Sequence, residues 1–416
     1  MPLPDALKRD TAASPRWLSI VGIGEDGVDG LSPTARGLIG AAEIVFGGRR
    51  HLGLAASLIR GAARPWPSPF EGAADEVLQH RGRQICVLAS GDPFHYGVGA
   101  VLAQKIDPRE MLVLPAPSAF SLAAARLGWS LPHTSLLSVH GRAADLVRPH
   151  LQPDARILVL TSGSDGPAAL AQLLSRSGFS RSRLTVLETL GGPRERIRAT
   201  SAAEFDFETV DALNIVAIEV EAAPDARIIA RSAGLTDGLF EHDGQITKRE
   251  MRAVTLSSLA PRRGEVLWDI GAGSGSVAIE WMLADPPFMR AIAVERRTDR
   301  AARIRRNAAA FGVPGLEIVE GAAPGALANL APPDAAFVGG GAGDAGLLDA
   351  ASRSLKPRGR LVVNAVTLET EALLLARHAA LGGDLIRVAI SRAAAVGEKA
   401  GWRPALPVTQ WLWTKP

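Results

Sequence analysis

The sequence is poor in the residues that form cross-links and thiolate metal sites. Its 416 residues include one cysteine, Cys86, which excludes a disulfide framework and a zinc site of several thiolates, and we expect no resident metal. No run of residues approaches the roughly 20 apolar positions of a membrane-spanning helix. The first ten residues contain no apolar signal-peptide core. These absences predict a cytoplasmic protein that is not bound to a membrane.

Lysine is also scarce, with six residues against 40 arginines, and the formal net charge is +3. The base composition of a GC-rich genome explains such an excess. The alternative is a substrate with many carboxylates or phosphates, which planar guanidinium groups bind well. Like charges do not form a block, and basic residues do not alternate with aromatic ones as they do on single-strand binding surfaces. We therefore expect no nucleic acid partner.

The chain does contain enough apolar material for packed cores. Hydrophobic residues make up 47% of it and charged residues 21%. Its length is roughly two to three times that of a common single domain, which predicts two domains.

Short apolar strands alternate with helices rich in alanine and leucine through the first half. The expected strands are 17–24, 43–46, 85–89, 111–114, 157–160, 184–187 and 214–220, and the expected helices include 118–127 and 167–177. This alternation predicts an α/β architecture. The segment 221–227 is polar, contains a proline and is predicted to be a linker.

The second half alternates more strictly. Strands are expected at 266–270, 291–295, 316–319, 335–338 and 361–365, with helices at 275–283, 298–311, 343–355 and 368–381. Two β-like segments, 385–390 and 408–413, then close the chain. This order predicts a doubly wound parallel sheet with an antiparallel strand at one edge.

The strongest local signal is a strand that contains Asp269 and runs into Gly271, Gly273 and Gly275. Glycines at this point allow a tight turn and a close approach of a ligand to the backbone. The next strand ends in Glu295, whose carboxylate can accept both hydroxyls of a ribose. Together these features predict an adenosine site at the carboxyl end of a parallel sheet.

The spacing of the glycines distinguishes between adenosine ligands. A dinucleotide fingerprint places its last glycine at the position of Ser276, so a dehydrogenase is disfavoured. The acid before the glycines suits S-adenosylmethionine, which carries an ammonium and a sulfonium group, better than it suits a pyrophosphate. A methyltransferase is therefore favoured, with another nucleotide enzyme and a purely structural glycine turn as the alternatives.

Two further segments of the second half bear on the reaction. The fourth strand runs into three glycines, 339–341, which offer no side chain to accept a proton from an amine. They favour a carbon nucleophile, and a merely flexible loop is the alternative. Thr247 and Glu250 fit a helix N-cap box, and a helix there could lie across the cofactor; capping alone would also explain the pair. His242 fits a surface or structural role better than a catalytic one.

Glycine and proline follow two successive strands of the first half. They occur in the segments 91–97 and 115–120. A cleft lined by backbone N–H and C=O groups is therefore predicted at these strand ends. Asp92 is expected to shape the turn between its glycine and proline neighbours, and a role as a catalytic acid is the alternative.

These motifs resemble those of two methyltransferase families. The first half resembles the tetrapyrrole methylase family through VGIG at 21–24, GDPFHYG at 91–97 and PAPSAF at 115–120. The second half resembles the decarboxylating corrin-pathway methyltransferases of Rossmann type through DGQITKRE at 243–250, WDIGAGSG at 268–275 and EGAAP at 320–324.

The resemblance implies a tetrapyrrole-methylase α/β region of two α/β subdomains, followed by a Rossmann-like doubly wound S-adenosylmethionine methyltransferase domain. The implied bounds are a tail at 1–14, the first domain at 15–222, a linker at 223–234 and the second domain at 235–416. The family reaction adds two methyl groups to bridging carbons of a tetrapyrrole and removes one acetate carboxyl as carbon dioxide. C-5 methylation is thereby assigned to the first domain, and C-15 methylation with decarboxylation to the second.

The resemblance also implies which residues form the two sites. Cofactor contacts in the second domain would be Thr247, Gly271, Ala272, Gly273, Ser274, Gly275, Glu295 and Ala323. Those in the first domain would be Gly91, Asp92, Tyr96, Ser118, Ala119, Thr161 and Ser162. The residues expected to face the substrate in the second domain are Gly339, Gly340 and Asn364.

The sequence departs from the family pattern in two places. Glu25 and Asp26 stand where relatives often have Pro-Gly. Ala322 stands where relatives often carry an acid that could bind the adenine amine, so in this chain the backbone would hold the adenine. A scaffold protein with one inert half and an RNA methyltransferase are the alternative functions. A homo-oligomer is expected, and the fused arrangement favours a metal-free substrate.

Overall fold

The structure is a computed structural model that describes residues 16–67 and 70–416. The predicted tail at 1–14 lies outside the described residues. The chain divides into two compact units. The first contains the described residues up to Ala144 together with Pro153–Ala226, and the second contains Asp145–Gln152 and Arg227–Pro416.

The first unit begins with a parallel five-stranded sheet in the order β3-β2-β4-β1-β5. Its strands are β1 Leu18–Ile23, β2 Ile44–Gly47, β3 Ala62–Pro65, β4 Ile85–Ser90 and β5 Met111–Leu114. The helices that accompany it are α1 Pro33–Ala41, α2 Arg49–Leu54, α3 Ala73–Leu78 and α4 Val98–Leu102. All six residues of β1 are buried, because this strand lies inside the sheet with both faces covered.

A second, mixed five-stranded sheet completes the first unit in the order β6-β7-β10-β8-β9. Its strands are β6 Thr134–Ser138, β7 Arg156–Leu160, β8 Arg183–Glu188, β9 Arg196–Ser201 and β10 Asn214–Glu219. The helices are α5 Ala119–Leu127 and α6 Gly166–Arg176. The two sheets confirm the predicted pair of α/β subdomains.

The second unit is built on a seven-stranded sheet in the order β13-β12-β11-β14-β15-β19-β16. Its strands are β11 Val266–Ile270, β12 Arg290–Glu295, β13 Glu317–Glu320, β14 Ala335–Val338, β15 Arg360–Ala365, β16 Asp384–Val388 and β19 Val408–Thr414. The helices are α7 Arg249–Leu259, α8 Ser276–Leu283, α9 Thr298–Ala310, α10 Leu347–Ser354 and α11 Leu368–Leu381. A separate hairpin joins β17 Ser391–Val396 to β18 Lys399–Pro404.

The topology of this sheet confirms the doubly wound prediction. The first five strands are parallel, and β19 lies antiparallel between β15 and β16. Successive side chains of a strand point to opposite faces, so Leu267 and Trp268 of β11 enter two different apolar clusters. The sheet therefore has a core on each face. None of the described helices has both the length and the apolar character needed to cross a membrane.

Candidate active site

The carboxyl ends of β11, β12, β14 and β15 lie side by side in the seven-stranded sheet, next to a cavity of about 700 Å³. Nine of the residues that sequence reasoning assigned to this half line it, namely Thr247, Gly271, Ala272, Gly273, Glu295, Ala323, Gly339, Gly340 and Asn364. The closing strands and the hairpin add a side of mostly apolar residues, namely Val388, Ile390, Ala405, Leu406 and Val408. The structure thus brings together segments that are far apart in sequence.

The glycine loop after β11 is tightly enclosed. Gly271 and Gly273 have φ values of 70° and 60°, in the left-handed region that favours glycine. A Cβ atom at Gly271 would lie 3.0 Å from the carbonyl oxygen of Gly340, and one at Gly273 would lie 3.2 Å from that of Gln245. Glycine therefore keeps open the space between this loop and two neighbouring segments.

Two residues of the predicted glycine motif lie behind the cavity. Ser274 is buried, and its carbonyl oxygen accepts a hydrogen bond from Asn307 Nδ2 at 2.9 Å. Gly275 is the N-cap of α8, and a Cβ there would lie 2.7 Å from Ile304 Cγ2. Ser274 therefore supports the loop, and the absence of a side chain at Gly275 allows α8 to pack closely on α9.

Asp269 is the most strongly perturbed acid of the site. Burial and, to a smaller extent, the neighbouring carboxylate of Glu295 raise the pKa of Asp269 to about 7, against the opposing effect of a hydrogen bond from the Ala278 amide. That hydrogen bond reaches Oδ2 at 3.0 Å. The carboxyl group is therefore close to half ionised at neutral pH, and a cation in the cavity would favour its charged form.

Glu295 lies at the end of β12 and accepts two backbone hydrogen bonds. The amide of Gly273 donates to Oε2 at 2.9 Å, and the amide of Arg297 donates to Oε1 at 3.0 Å. The acid thereby connects the end of β12 to the glycine loop. Each carboxylate oxygen has a further lone pair that can accept a hydroxyl group.

Asn364 belongs to a small polar network at the end of β15. Its Nδ2 donates to Thr255 Oγ1 at 3.1 Å, and its Oδ1 accepts from Gln410 Nε2 at 2.8 Å. Gln410 Oε1 in turn accepts from Ser258 at 2.7 Å. One N–H and one lone pair of the Asn364 amide remain for a group in the cavity.

The predicted N-cap box at Thr247 and Glu250 is wrong. Helix α7 begins at Arg249 with Lys248 as its N-cap, and no side chain caps it. Thr247 instead lines the cavity, while Glu250 forms an ion pair with Arg392 of β17. Tertiary contacts thus replace the local capping bonds that the sequence pattern offers.

The segment that leads into α7 is held by a buried guanidinium group. Arg252 donates to the carbonyl oxygens of Leu235 and Thr247, near the two ends of this segment. It also forms ion pairs with Glu280 at 2.6 Å and Asp237 at 3.1 Å. Sequence reasoning missed this residue, because a lone arginine in a helix is indistinguishable from a surface residue.

The first unit brings three strand ends together at the predicted cleft. The amide of Gly91 donates to the carbonyl of Ile23 at 3.2 Å, and the amide of Ala116 donates to that of Gly91 at 3.1 Å. A Cβ atom at Gly91 would lie 2.6 Å from the carbonyl oxygen of Pro117 and 3.0 Å from Cα of Ser118. The segments 91–97 and 115–120 therefore touch, as their sequence positions predict.

The side chains predicted near this contact have local partners. Asp92 Oδ1 accepts from the amide of Phe94 at 2.9 Å, which is the geometry of a turn. Ser118 is the N-cap of α5 and accepts from the amide of Ser121 at 3.2 Å, and Ala119 is the first residue of that helix.

The remaining predicted residues of the first unit lie toward its second sheet. Tyr96 has a φ of 58°, and its hydroxyl donates to the carbonyl of Leu136 in β6 at 3.3 Å. Thr161 follows β7 and donates to Asn214 Oδ1 at 2.5 Å. Ser162 accepts from the amide of Gly141 at 2.7 Å. Tyr96 thus bridges the two sheets, and the other two side chains order the loop after β7.

The departure at Glu25 places an ion pair at these strand ends. Arg50 pairs with Glu25 and donates to Ser90 Oγ at 2.8 Å, where Ser90 is the last residue of β4. Burial, together with the charge of Arg50, lowers the pKa of His51 to about 4, so this ring is neutral at neutral pH. Sequence reasoning gave no role to Arg50 or His51.

Comparison with known proteins covers the whole chain. Residues 18–206 match the model of tetrapyrrole (corrin/porphyrin) methylases, and residues 238–415 match that of a precorrin methyltransferase domain. A curated precorrin-6Y C(5,15)-methyltransferase [decarboxylating] of Sinorhizobium sp is 58% identical, over 99% of this chain and 100% of the relative. The protein of that name from Mycobacterium tuberculosis strain CDC 1551 is 40% identical, over 95% of this chain and 99% of the relative.

Solved structures are similar as well, and one of them covers the second unit. It is the C-terminal domain of precorrin-6Y C5,15-methyltransferase from Rhodobacter capsulatus, which has 48% sequence identity and a TM-score of 0.43, and the match covers 45% of this chain and 100% of that one. The RNA methyltransferase alternative is not supported.

The donor set of the second-unit cavity fits the cofactor of these enzymes. The carboxylates of Asp269 and Glu295 line it beside the glycine loop. Such a loop suits a nucleoside, and two acids suit a ligand with an ammonium and a sulfonium group. Full-length similarity, two matching domain models and this site agree: the chain belongs to the precorrin-6Y C5,15-methyltransferase (decarboxylating) family of cobalamin biosynthesis, whose members use S-adenosylmethionine.

Proposed function

We propose that this chain converts precorrin-6Y to precorrin-8X by methylating C-5 and C-15 and removing the acetate carboxyl of ring C. The first unit would methylate C-5, and the second would methylate C-15 and release carbon dioxide. The observation that carries the proposal is the 58% identity to a curated relative over the full length of both chains.

In the second unit we assign the cofactor to the glycine loop and its flanking acids. S-adenosylmethionine supplies an activated methyl group on a sulfonium. Glu295 would accept the ribose hydroxyls, because it ends the strand next to the loop and retains lone pairs. Asp269 would face the cationic part of the ligand. Thr247 and Ala323 also line this pocket and would contact the cofactor.

The residues on the substrate side fit a reaction controlled by positioning. A bridging carbon of the tetrapyrrole is enamine-like, so it is nucleophilic without a strong protein base. Alignment of such a carbon with a bound methyl donor can contribute about 7–11 kcal/mol in favourable cases. Gly339 and Gly340 leave room for a flat macrocycle, and Asn364 offers one hydrogen bond to orient it.

Decarboxylation at the same site needs an electron sink, which the conjugated ring imine of the substrate provides once it is protonated. The task of the protein is to keep water away from the acetate while it holds the other acid arms. The apolar side formed by Ile390, Leu406 and Val408 supports this role, because it can cover the macrocycle without solvating the carboxylate.

For the first unit we propose that the touching segments 91–97 and 115–120 hold the second cofactor through backbone groups. Gly91 allows the two segments to approach within van der Waals distance. Tyr96 and Thr161 would lie at the side of the second sheet. Their side chains order the loops, and roles for them in cofactor contact stay predictions.

The test uses the full-length protein with one unit inactivated at a time. Gly273→Val should inactivate the second unit, and Gly91→Val the first. Each variant is given precorrin-6Y and methyl-labelled S-adenosylmethionine, and the products are weighed by mass spectrometry. The Gly273 variant should add at most one methyl and release no carbon dioxide. The Gly91 variant should add one methyl and lose carbon dioxide. A wild-type protein that alters no tetrapyrrole would refute the proposal.

A further inference from the structure

Several cations near the second-unit cavity have no part in the cofactor contacts proposed above. We propose that Lys248, Arg392 and Arg403 form a carboxylate-binding rim that holds acid arms of the tetrapyrrole. This inference rests on the proposed function, because it requires a substrate with several carboxylates. The inference goes beyond the proposed function because it names the residues that bind these carboxylates.

Lys248 lies beyond the carboxyl end of β15. Helix α7 runs beside this strand: Arg360 at the start of β15 donates to the carbonyl of Leu259 at 2.7 Å, and Asn364 near its end donates to Thr255 at 3.1 Å. The first turn of α7 therefore extends past the strand. Lys248, which precedes that turn, lines the cavity.

The position of Lys248 is unfavourable for the isolated helix. It occupies the N-cap, where serine, threonine, aspartate and asparagine are preferred, and it makes no capping bond. A positive charge also opposes the helix dipole at this end. Within the described residues its ammonium group has no carboxylate partner. An anion bound in the cavity would relieve this local cost.

Arg392 and Arg403 show a second unfavourable arrangement. They are directly paired across β17 and β18, so their side chains leave the same face of the hairpin. Like charges at such a position are destabilising. Arg392 lines the cavity and pairs with Glu250, which is two residues from Lys248. Glu250 is the carboxylate with which Arg392 pairs, and an acidic ligand would give the two paired arginines a second one.

Lys248 and Arg392 line the cavity from elements other than those that carry the cofactor acids and their cationic neighbours Arg296 and Arg300. Asp269 and Glu295 lie at the ends of β11 and β12, where the cofactor is assigned. Lys248 and Arg392 approach from α7 and β17. Asp269 and Glu295 suit the cationic cofactor that is assigned to the strand ends, and Lys248 and Arg392 offer positive charge to an anionic substrate from α7 and β17.

The rim is tested by release of carbon dioxide, the step assigned to the second unit. Lys248→Gln and Arg403→Gln are made in the full-length protein, and KM for precorrin-6Y is measured at several salt concentrations. Each substitution should raise this KM about tenfold at low salt, with a smaller ratio to wild type at high salt because salt screens exposed charges. Lys248→Arg should restore most of the loss.

The control is Lys399→Gln, which removes a lysine at the start of β18, at the far end of the hairpin from Arg403. This variant should match wild type. Unchanged KM in both rim variants, or an equal rise in the control, overturns the inference. A rise in the dissociation constant for S-adenosylmethionine, measured by calorimetry on Lys248→Gln, also overturns it, since the lysine would then contact the cofactor. None of these results affects the proposed function, which fails only if wild type does not convert the tetrapyrrole.

Discussion

Arg252 and Glu280 form a buried ion pair in the second unit, with Arg252 Nε 2.6 Å from Glu280 Oε1. Glu280 also accepts from the amides of Gly234 and Leu235 at 2.7 and 2.9 Å. The two side chains therefore fix the start of the segment that leads to Thr247. This contact between α7 and α8 thereby sets the position of Thr247, which lines the cavity.

We expect Glu280→Gln to destabilise the second unit by about 3 kcal/mol, because it removes a negative charge that compensates the buried guanidinium group of Arg252. Calorimetry of the thermal unfolding of the full-length protein measures this loss of stability. The control is Asp285→Asn, which breaks the exposed pair with Arg263 and should change stability much less. Equal losses of stability in the two variants would show that the buried ion pair contributes no more to stability than the exposed one.

The Asp269 carboxyl should make cofactor binding depend on pH. Its pKa of about 7 applies to the protein without ligand, so the group loses its charge as the pH falls from 8 to 6. Affinity of the second unit for S-adenosylmethionine should therefore fall over that range. Asp269→Asn should bind about tenfold more weakly at pH 8, because a charge-assisted contact becomes a neutral one. Its affinity should also vary less with pH, as calorimetry at the two pH values would show.

The same group has the opposite effect on the stability of the unliganded fold. Burial raises the pKa of Asp269 from 3.8 to about 7, so between these values the folded state binds more protons than the unfolded state. Stability should fall as the pH rises through this window. Asp269→Asn should flatten that dependence, and identical slopes for variant and wild type would contradict the assignment.

Most of the framework of both units is predictable from the sequence. Buried strands such as Val266–Ile270 and Ala335–Val338 are short apolar runs bounded by turn residues, so periodicity locates them. The glycine loop and Glu295 follow from the fixed geometry of a parallel sheet. These features depend on contacts within about 30 residues of chain, where local patterns are informative.

The remaining features depend on distant contacts. The β17–β18 hairpin was missed because its residues are mostly exposed and show no apolar alternation, and because within the described part of the chain its strands pair only with each other. The ion pair of Glu250 with Arg392 spans 142 positions, and no local pattern records it. The wrong N-cap box has the same origin, since Glu250 pairs with Arg392 and does not cap the helix.

The glycine loop gives a prediction about stoichiometry. Gly273→Val should remove one of two binding sites for S-adenosylmethionine, because a side chain there requires a rare backbone conformation and meets the carbonyl of Gln245. Calorimetry on the full chain would count the sites. Gly315→Val is the matched control, since no atom of the described residues lies within 4 Å of a Cβ at that exposed position. Loss of both sites, or of neither, would contradict the prediction.

The role of Asp92 can be resolved by a pair of substitutions. Its Oδ1 accepts the amide of Phe94, and an asparagine can accept the same bond without being an acid. If the residue shapes the turn, Asp92→Asn should retain most C-5 methylation and Asp92→Ala should lose at least tenfold. Product mass with labelled methyl donor measures both. Equal losses in the two variants would instead favour a catalytic acid.

Substitution of Asn364 should lower turnover without changing the affinity for S-adenosylmethionine. Its amide is held by Thr255 and Gln410, so the remaining N–H and lone pair have a fixed direction. Asn364→Ala should lower C-15 methylation and carbon dioxide release at least tenfold, because the macrocycle loses an orienting hydrogen bond. The dissociation constant for S-adenosylmethionine should stay within about twofold of wild type.

Thr255→Val distinguishes this role from loss of the polar network. It removes the acceptor of the Asn364 Nδ2 bond but leaves the amide itself in the cavity. Turnover should therefore fall less in Thr255→Val than in Asn364→Ala, even if both variants lose similar stability. If the two fall equally, the network is structural and Asn364 only completes it. If Asn364→Ala turns over as fast as wild type, the residue does not orient the substrate, and the glycines at 339–341 alone shape that side of the cavity.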